Sequence, residues 1–238
     1  MLAELVKRVL VTTKLSDRRN RAAQKAGIEA IELPLIETQP KEVDWESLAS
    51  TLATRRIVLT SPKAGRLLMS NVKGLAAHPY PLVAVGKGTE SILNMAGLKA
   101  DTPPEPMGGR ALAEWMIRTY PPPHEVAHVG GSRRHEAFRE RLQAAGWKVE
   151  EIDVYDTLFC DLPENLPQQV EAVCFLSPSA VEQYYANNLQ QEFSGIPVIA
   201  IGDTTAKALR ANGAQPLVSP DTDINSMFQF VRDSLAKV

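Results

Sequence analysis

The segment Ala84-Val85-Gly86-Lys87-Gly88-Thr89 recurs later in the chain as Ala200-Ile201-Gly202-Asp203-Thr204-Thr205, so that Gly202 follows Gly86 by 116 residues. The same spacing relates Thr60-Ser61-Pro62-Lys63-Ala64 to Leu176-Ser177-Pro178-Ser179-Ala180. A fixed spacing between similar segments is typical of a duplicated structural unit. The sequence therefore predicts two copies of one fold.

Short, almost continuously apolar runs alternate with helical patterns along the chain, and such runs are typical of strands covered on both faces. The runs are residues 9–13, 57–60, 82–85, 126–129, 173–176 and 197–201. The helical patterns are residues 18–26, 63–69, 89–95, 134–145 and 204–211, several closed by a glycine suited to a helix end: Gly27, Gly97, Gly146 and Gly213. We expect an α/β protein with two similar doubly wound lobes, each a five-stranded parallel sheet flanked by helices.

The duplication does not determine which segments of the chain form each lobe. The first two strands can join residues 57–118 or reach across to residues 170–238. Residues 37–44 and 156–167 are polar, contain prolines and show little periodicity, so they are predicted to cross between the lobes.

Composition excludes several classes of protein. The chain has 238 residues, 44% hydrophobic and 23% charged, as ordinary soluble globular proteins have. Its net charge of −2, with both signs mixed along the chain, provides no basic stripe for nucleic acid and no basic amphipathic helix for a membrane. No apolar run is long enough for a membrane span, no signal peptide is visible, and two cysteines make no disulfide framework. We expect a cytoplasmic protein.

Candidate ligand-binding residues lie where strands are followed by small or hydroxylated residues and then a helix. In doubly wound sheets, ligands bind beyond the carboxyl ends of the strands, where helix N-termini present unpaired N–H groups that suit carboxylates. The candidates are Ser61, Gly86, Lys87, Thr89, Arg133, Ser177, Thr204 and Thr205. The structural alternative is that they are helix caps, turn residues and solvated cations. The repetition of Ser61 and Thr89 as Ser177 and Thr205 favours two facing walls of one cleft.

Tyr155 is the candidate catalytic residue. Strand alternation places it with Asp153, on the face opposite Ile152 and Val154, near the end of its strand. A phenol, with a reference pKa near 10, is a protonated donor at neutral pH and can protonate a leaving hydroxyl. The alternative is a tyrosine that only packs at the edge of a lobe.

Familiar signatures of other enzymes are missing. There is no P-loop lysine motif, and the segment from Gly130 to Arg134 departs from the dinucleotide fingerprint at its third glycine. The four histidines lack the paired spacing of a zinc helix, and His128 within a strand is typical of a core residue. No Gly-x-Ser-x-Gly elbow is present. We expect no nucleotide, no metal and no acyl-transfer triad.

Several segments together resemble the scattered signature of uroporphyrinogen-III synthases. They are residues 58–62, 84–86 with Thr89, Gly131 with Arg133, the helix end 142–146, Val154-Tyr155, residues 175–181 and residues 200–206. The resemblance covers nearly the whole chain. It implies a crossed architecture, in which residues 1–36 plus 158–238 form one lobe and residues 37–157 the other, with two crossover strands and a cleft between.

The resemblance also implies the chemistry. The substrate would be hydroxymethylbilane, an octacarboxylate that loses its terminal hydroxyl and closes through a spiro intermediate, which inverts the last pyrrole ring, without metal or cofactor. Tyr155 matches the family tyrosine at the departing hydroxyl. Thr89, Thr204 and Thr205 match cleft threonines, and Ser61 and Ser177 match the serines of the repeated strand ends. One departure is Lys14-Leu15, in place of the Arg-Pro that many members carry.

The resemblance implies a monomer and leaves open a transient contact with hydroxymethylbilane synthase, the upstream enzyme. Two rival interpretations share parts of this pattern. A two-lobed small-molecule binding protein without catalysis would have the same architecture, but the periplasmic type carries an export signal. A nucleotide-dependent transferase is disfavoured by the missing phosphate-binding loops.

Overall fold

A computed structural model describes residues 6–105, 108–121, 124–134 and 136–236. Within these ranges the chain forms eleven strands and ten α-helices. The strands are β1 (Lys7–Val11), β2 (Ile28–Glu32), β3 (Ile36–Pro40), β4 (Arg56–Leu59), β5 (Leu82–Ala84), β6 (Ala100–Asp101), β7 (Glu125–Gly131), β8 (Lys148–Phe159), β9 (Ala172–Phe175), β10 (Val198–Ala200) and β11 (Leu217–Val218). The helices are α1 (Asp17–Lys25), α2 (Trp45–Leu52), α3 (Pro62–Asn71), α4 (Lys87–Met95), α5 (Gly109–Thr119), α6 (Ala137–Gln143), α7 (Pro178–Ala186), α8 (Leu189–Glu192), α9 (Asp203–Ala211) and α10 (Ile224–Leu235).

The chain divides into two compact units. Unit 1 comprises Met1–Glu37 together with Leu158–Val238, and unit 2 comprises Thr38–Thr157. The boundaries fall within β3 and β8, so these two strands carry the chain from one unit to the other.

The sheet of unit 1 has, among the described residues, five parallel strands in the order β11-β10-β9-β1-β2. Neighbouring residues of β1 face opposite sides. Val9 and Val11 belong to the apolar cluster that includes Phe228 of α10, whereas Leu10 belongs to the cluster that includes Tyr184 of α7. Helices therefore cover both faces, which explains why the strand is continuously apolar.

The sheet of unit 2 has six strands in the described part of the chain, in the order β3-β8-β7-β4-β5-β6. The sixth strand is β3, which carries the chain between the units, as expected of one of the two crossover strands that the resemblance implies in addition to five strands in each lobe. The twelve-residue β8 pairs with β7 on one side and β3 on the other, and the Lys41 N–H donates to the Val154 carbonyl at 3.1 Å. Backbone hydrogen bonds make β3 a strand, although its side chains show no apolar pattern. The periodicity of apolar residues in the sequence therefore could not reveal this strand.

Both faces of this second sheet are also covered. Ile57 and Leu59 of β4 belong to the cluster that includes Leu68 of α3, and Val58 belongs to the cluster that includes Met116 of α5. The strands from β4 to β8 are all parallel. The structure is thus an α/β protein with two mostly parallel sheets flanked by helices.

Helix ends follow the sequence signals closely. Gly27, Gly97, Gly146 and Gly213 follow α1, α4, α6 and α9 with φ of 72°, 73°, 82° and 82°, a backbone conformation in which glycine avoids the strain of a Cβ atom. The helix predicted from Arg134 begins later, at Ala137. Arg134 lies before it and its guanidinium binds β8 instead.

A buried arginine lies at the start of β4. Arg56 is 5% exposed, and its guanidinium carbon lies 3.8 Å from the ring centroid of Tyr120 and 5.2 Å from that of Tyr80. The Tyr120 hydroxyl donates to the Asp101 carboxylate at 2.7 Å. Aromatic faces therefore replace part of the water that this cation loses, and burial lowers the pKa of Arg56.

None of the helices in the described ranges combines the length and apolar content needed to cross a bilayer. Cys160 and Cys174 are both unpaired thiols, and burial raises the pKa of Cys174 to about 12.

Candidate active site

Two of the predicted site residues cap helices at equivalent strand ends. Ser61 follows β4, and its hydroxyl oxygen accepts the N–H groups of Lys63 at 3.2 Å and Ala64 at 3.4 Å. Ser177 follows β9 and accepts the Ala180 N–H at 3.3 Å. Both serines therefore have a structural function, and each hydroxyl can still donate its own hydrogen to a ligand.

The repeated glycine loops have the same geometry in the two units. Gly86 and Gly202 are both extended, with φ of −178°, and immediately precede α4 and α9. The exposure of the following residues also repeats. Thr89 and Thr205 are buried, at 1% and 3% exposure, whereas Thr204 is exposed. Burial favours a packing function for Thr89 and Thr205, and Thr204 is the hydroxyl that a ligand can reach.

The cations near the strand ends of unit 2 fall into two groups. Lys87 and Arg133 are exposed, and Lys87 borders an open depression of about 540 Å³ along α4. Lys63 and Arg134 are partly buried. The Lys63 ammonium contacts the carbonyl and hydroxyl of Thr38, and Arg134 binds the carboxylate of Asp153 at 2.5 Å.

Tyr155 lies at an irregularity in the pairing of β7 with β8. Gly130 pairs with Asp153 and the next residue, Gly131, pairs with Tyr155, so Val154 is an extra residue on β8. Such a bulge changes the direction in which the following side chain points. Tyr155 consequently packs against the same apolar cluster as Val154 and is partly buried. The expectation of opposite faces is wrong, because it assumed an uninterrupted strand.

The backbone of β7 and a lysine lie close to the Tyr155 ring. A Cβ atom on Gly131 would meet Cε2, Cζ and the hydroxyl oxygen of Tyr155 at 2.4, 2.7 and 3.0 Å. The Lys63 ammonium is 5.5 Å from the ring centroid, within cation–π range. The Ser132 N–H donates to the Tyr155 carbonyl at 3.0 Å, which fixes the backbone.

His128 forms a buried hydrogen-bonded group that the sequence pattern did not reveal. Its Nε2 atom lies 3.0 Å from the Thr60 hydroxyl, and Nδ1 lies 3.7 Å from the Glu151 carboxylate. Burial lowers the pKa of His128 to about 3, with a contribution from Arg134. At neutral pH it is therefore uncharged. A lone histidine within a strand gave no signal for partners that lie far away in the sequence.

The carboxylates around this group are engaged by cations. Asp153 also lies 3.8 Å from the Lys41 ammonium, and Glu151 binds Arg139 at 2.8 Å. In the part of the chain that the structure describes, His, Cys, Asp and Glu side chains form no group of three or more that could hold a metal ion.

Comparisons with known proteins identify the family of this chain. The sequence profile of the uroporphyrinogen-III synthase HemD family matches residues 17–229. The chain is 26% identical over 216 residues to a chloroplastic uroporphyrinogen-III synthase of Oryza sativa subsp. japonica, an alignment that covers 84% of this chain and 70% of the rice protein.

Solved structures show the same fold. A mutant uroporphyrinogen III synthase of the extremely thermophilic bacterium Thermus thermophilus superimposes with a TM-score of 0.71 at 20% identity, covering 98% of this chain and 100% of that one. The uroporphyrinogen-III synthetase of Helicobacter pylori superimposes with a TM-score of 0.63 at 13% identity, covering 96% and 99%. Because the profile match spans most of the sequence, the chain belongs to the uroporphyrinogen-III synthase family, the hydro-lyases of tetrapyrrole biosynthesis.

Proposed function

We propose that this chain cyclises hydroxymethylbilane to uroporphyrinogen III and that the phenol of Tyr155 assists departure of the terminal hydroxyl. The observation that carries the residue assignment is the placement of Tyr155. Its partly exposed ring lies against the glycine backbone of β7, at a strand irregularity of the kind found beside active sites, with a cation nearby.

The proposed chemistry needs one proton donor. The phenol protonates the leaving hydroxyl as its C–O bond breaks, which releases water and leaves an azafulvene. The azafulvene carbon then bonds to the substituted position of the last pyrrole ring and forms a spiro intermediate, which fragments and closes again with that ring inverted. The proton lost when the pyrroles regain aromaticity returns to the phenolate. Water is lost without net oxidation, so the reaction consumes no oxidant or reductant.

Selectivity is proposed to come from the conformation that binding imposes on the substrate. Unassisted closure is feasible and gives the unrearranged isomer, so the enzyme must favour one transition state over another. Each 1.4 kcal/mol of preference changes the product ratio about tenfold. Contacts that hold the flexible tetrapyrrole in the spiro-forming conformation supply that preference.

Carboxylate binding is proposed at the exposed residues of the strand-end loops. Lys87 and Arg133 supply positive charge, and Thr204 supplies a hydroxyl. The N-termini of α4 and α9, which follow Gly86 and Gly202, add N–H groups directed at an anion. Local groups of this kind are required because the chain as a whole carries a net charge of −2. The monomeric state and the cytoplasmic location stay predictions.

The decisive experiment replaces Tyr155 with Phe, which keeps the ring and removes its hydroxyl. Hydroxymethylbilane is generated in the assay by its synthase, and the products are oxidised and separated by chromatography into type I and type III isomers. The wild-type protein should yield more of the type III isomer than of the type I isomer. We expect kcat of Tyr155→Phe to fall roughly 100-fold, the low end of the range for general acid catalysis, because the hydroxyl also leaves unassisted.

Tyr185→Phe provides a matched control. This tyrosine is also partly buried, but it lies near the end of α7 in unit 1, away from the strand-end loops. Its turnover should equal that of the wild type. Wild-type turnover in Tyr155→Phe would remove the assigned function of the phenol. Only type I product from the wild-type protein would reject the synthase and favour a binding protein without catalysis.

A further inference from the structure

Gly131 is the residue of β7 against which the Tyr155 ring lies. A side chain at this position would collide with the ring, since an ideal Cβ atom lies 2.4 Å from Cε2 and 2.7 Å from Cζ. The Gly131 backbone is outside the left-handed region, so any amino acid could adopt it. Glycine is therefore required here for space and not for conformation.

We infer that Gly131 is a positioning residue for the reaction, because the missing side chain creates the surface that orients the phenol of Tyr155. This inference rests on the proposed function of Tyr155. Gly131 has no reactive group, and its proposed contribution is to set the position of the Tyr155 phenol.

Two contacts hold the backbone of β8 in place around Tyr155. Val154, the extra residue of the bulge, is fully buried and holds β8 against the apolar cluster. The Tyr155 carbonyl accepts the Ser132 N–H, which ties the backbone of Tyr155 to the chain that follows Gly131. The ring packs against that apolar cluster but is only partly buried, so it is the part that can move. A residue larger than glycine would therefore move the ring and leave the strand in place.

The size of the displacement follows from the distances. Ordinary van der Waals contact begins at 3.4 Å, and the nearest ring atom would lie 2.4 Å from an alanine Cβ. The ring must then move by about 1 Å. A misplacement of that size at a reacting group can lower the rate about 100-fold. Gly131→Ala should thus lose activity by a factor that approaches, but does not exceed, the loss in Tyr155→Phe, while the protein remains folded.

A double-mutant cycle tests this inference. In the wild-type background, Gly131→Ala should lower kcat by roughly 10- to 100-fold with little change in KM, since substrate binding does not depend on the phenol. In a Tyr155→Ala background there is no ring to displace. The same Gly131→Ala change should then alter kcat less than about twofold. Single-turnover measurements with excess enzyme keep the slow variants measurable.

Gly65→Ala is the matched control. Its Cβ would meet Leu93 Cδ2 at 3.9 Å, an ordinary contact, and Gly65 lies inside α3, where alanine is favoured over glycine. Its turnover should equal that of the wild type.

The stabilities of the four proteins of the double-mutant cycle supply a second comparison. Gly131→Ala should lower the free energy of unfolding only when Tyr155 is present, because only then does the alanine side chain collide with the ring.

Two results would overturn the inference: turnover of Gly131→Ala within about twofold of the wild type, or an equal loss with and without the Tyr155 ring. Failure of the proposed function looks different. In that case Tyr155→Phe, which keeps the ring in place, would turn over at the wild-type rate whatever Gly131→Ala does.

Discussion

His128 provides a prediction about stability and pH that can be worked out from the structure. The residue is 3% exposed, and burial lowers the pKa of its imidazole from 6.5 to about 3. Between these two values the unfolded chain binds a proton that the folded chain does not. Stability must therefore rise with pH across this window, and it is lost as the pH falls below 6.5.

The magnitude follows from the linkage relation. Each pH unit below the unfolded pKa costs about 1.4 kcal/mol, so a fall of about 1.5 units, from roughly 6.5 to 5.0, costs about 2 kcal/mol. The nearby Glu151 carboxylate, 3.7 Å from Nδ1, would oppose this by favouring the imidazolium. We expect burial to prevail because Glu151 is already bound by Arg139 at 2.8 Å and Arg134 repels a second positive charge.

The perturbation is His128→Gln, which keeps a polar side chain that is uncharged throughout the range. Urea unfolding is followed by tryptophan fluorescence at pH 7.5 and pH 5.0. All three tryptophans, at positions 45, 115 and 147, lie in unit 2 together with His128, so the signal reports the relevant unit. The titration of other groups cancels when the two proteins are compared at each pH.

We expect the stability advantage of the wild type over His128→Gln to shrink by about 2 kcal/mol between pH 7.5 and pH 5.0. An advantage that does not change with pH would refute the reasoning. An advantage that grows on acidification would show that Glu151 holds His128 in its charged form.

Two further predictions concern hydrogen bonds elsewhere in the fold. Ser61→Ala and Ser177→Ala should each lower the free energy of unfolding by about 1 kcal/mol through loss of a helix cap, whereas the exposed Ser70→Ala within α3 should change it little; circular dichroism during urea unfolding measures all three. Tyr120→Phe should cost about 1–2 kcal/mol, because the Asp101 carboxylate loses a donor at 2.7 Å, and an unchanged unfolding midpoint would contradict this.

Much of the architecture could be predicted from local patterns. The glycines that end α1, α4, α6 and α9 were identified correctly, because each helix end needs a residue with positive φ and glycine adopts it without strain. The two-sided burial of β1 and β4 was visible as continuous apolar runs. Both signals depend on residues adjacent in the chain.

Features that depend on pairing between distant segments could not be predicted in this way. The sixth strand of unit 2 exists because β8 is long enough to pair with β3, and backbone hydrogen bonds leave no mark in the side chains. The direction of Tyr155 depends on a bulge defined by residues of two strands. The alternation of side chains along a single strand cannot reveal a bulge, because the bulge is defined by the pairing of two strands.

The sequence by itself determined the duplication, the parallel sheets and the family resemblance, because these follow from the order and spacing of apolar and glycine residues. Only the tertiary structure decided that Thr89 and Thr205 are buried, that Thr60 and Glu151 are the neighbours of His128, and that Gly131 makes room for Tyr155. The physical reason is that burial and steric fit are set by atoms from distant parts of the chain, and no local pattern specifies which atoms will meet.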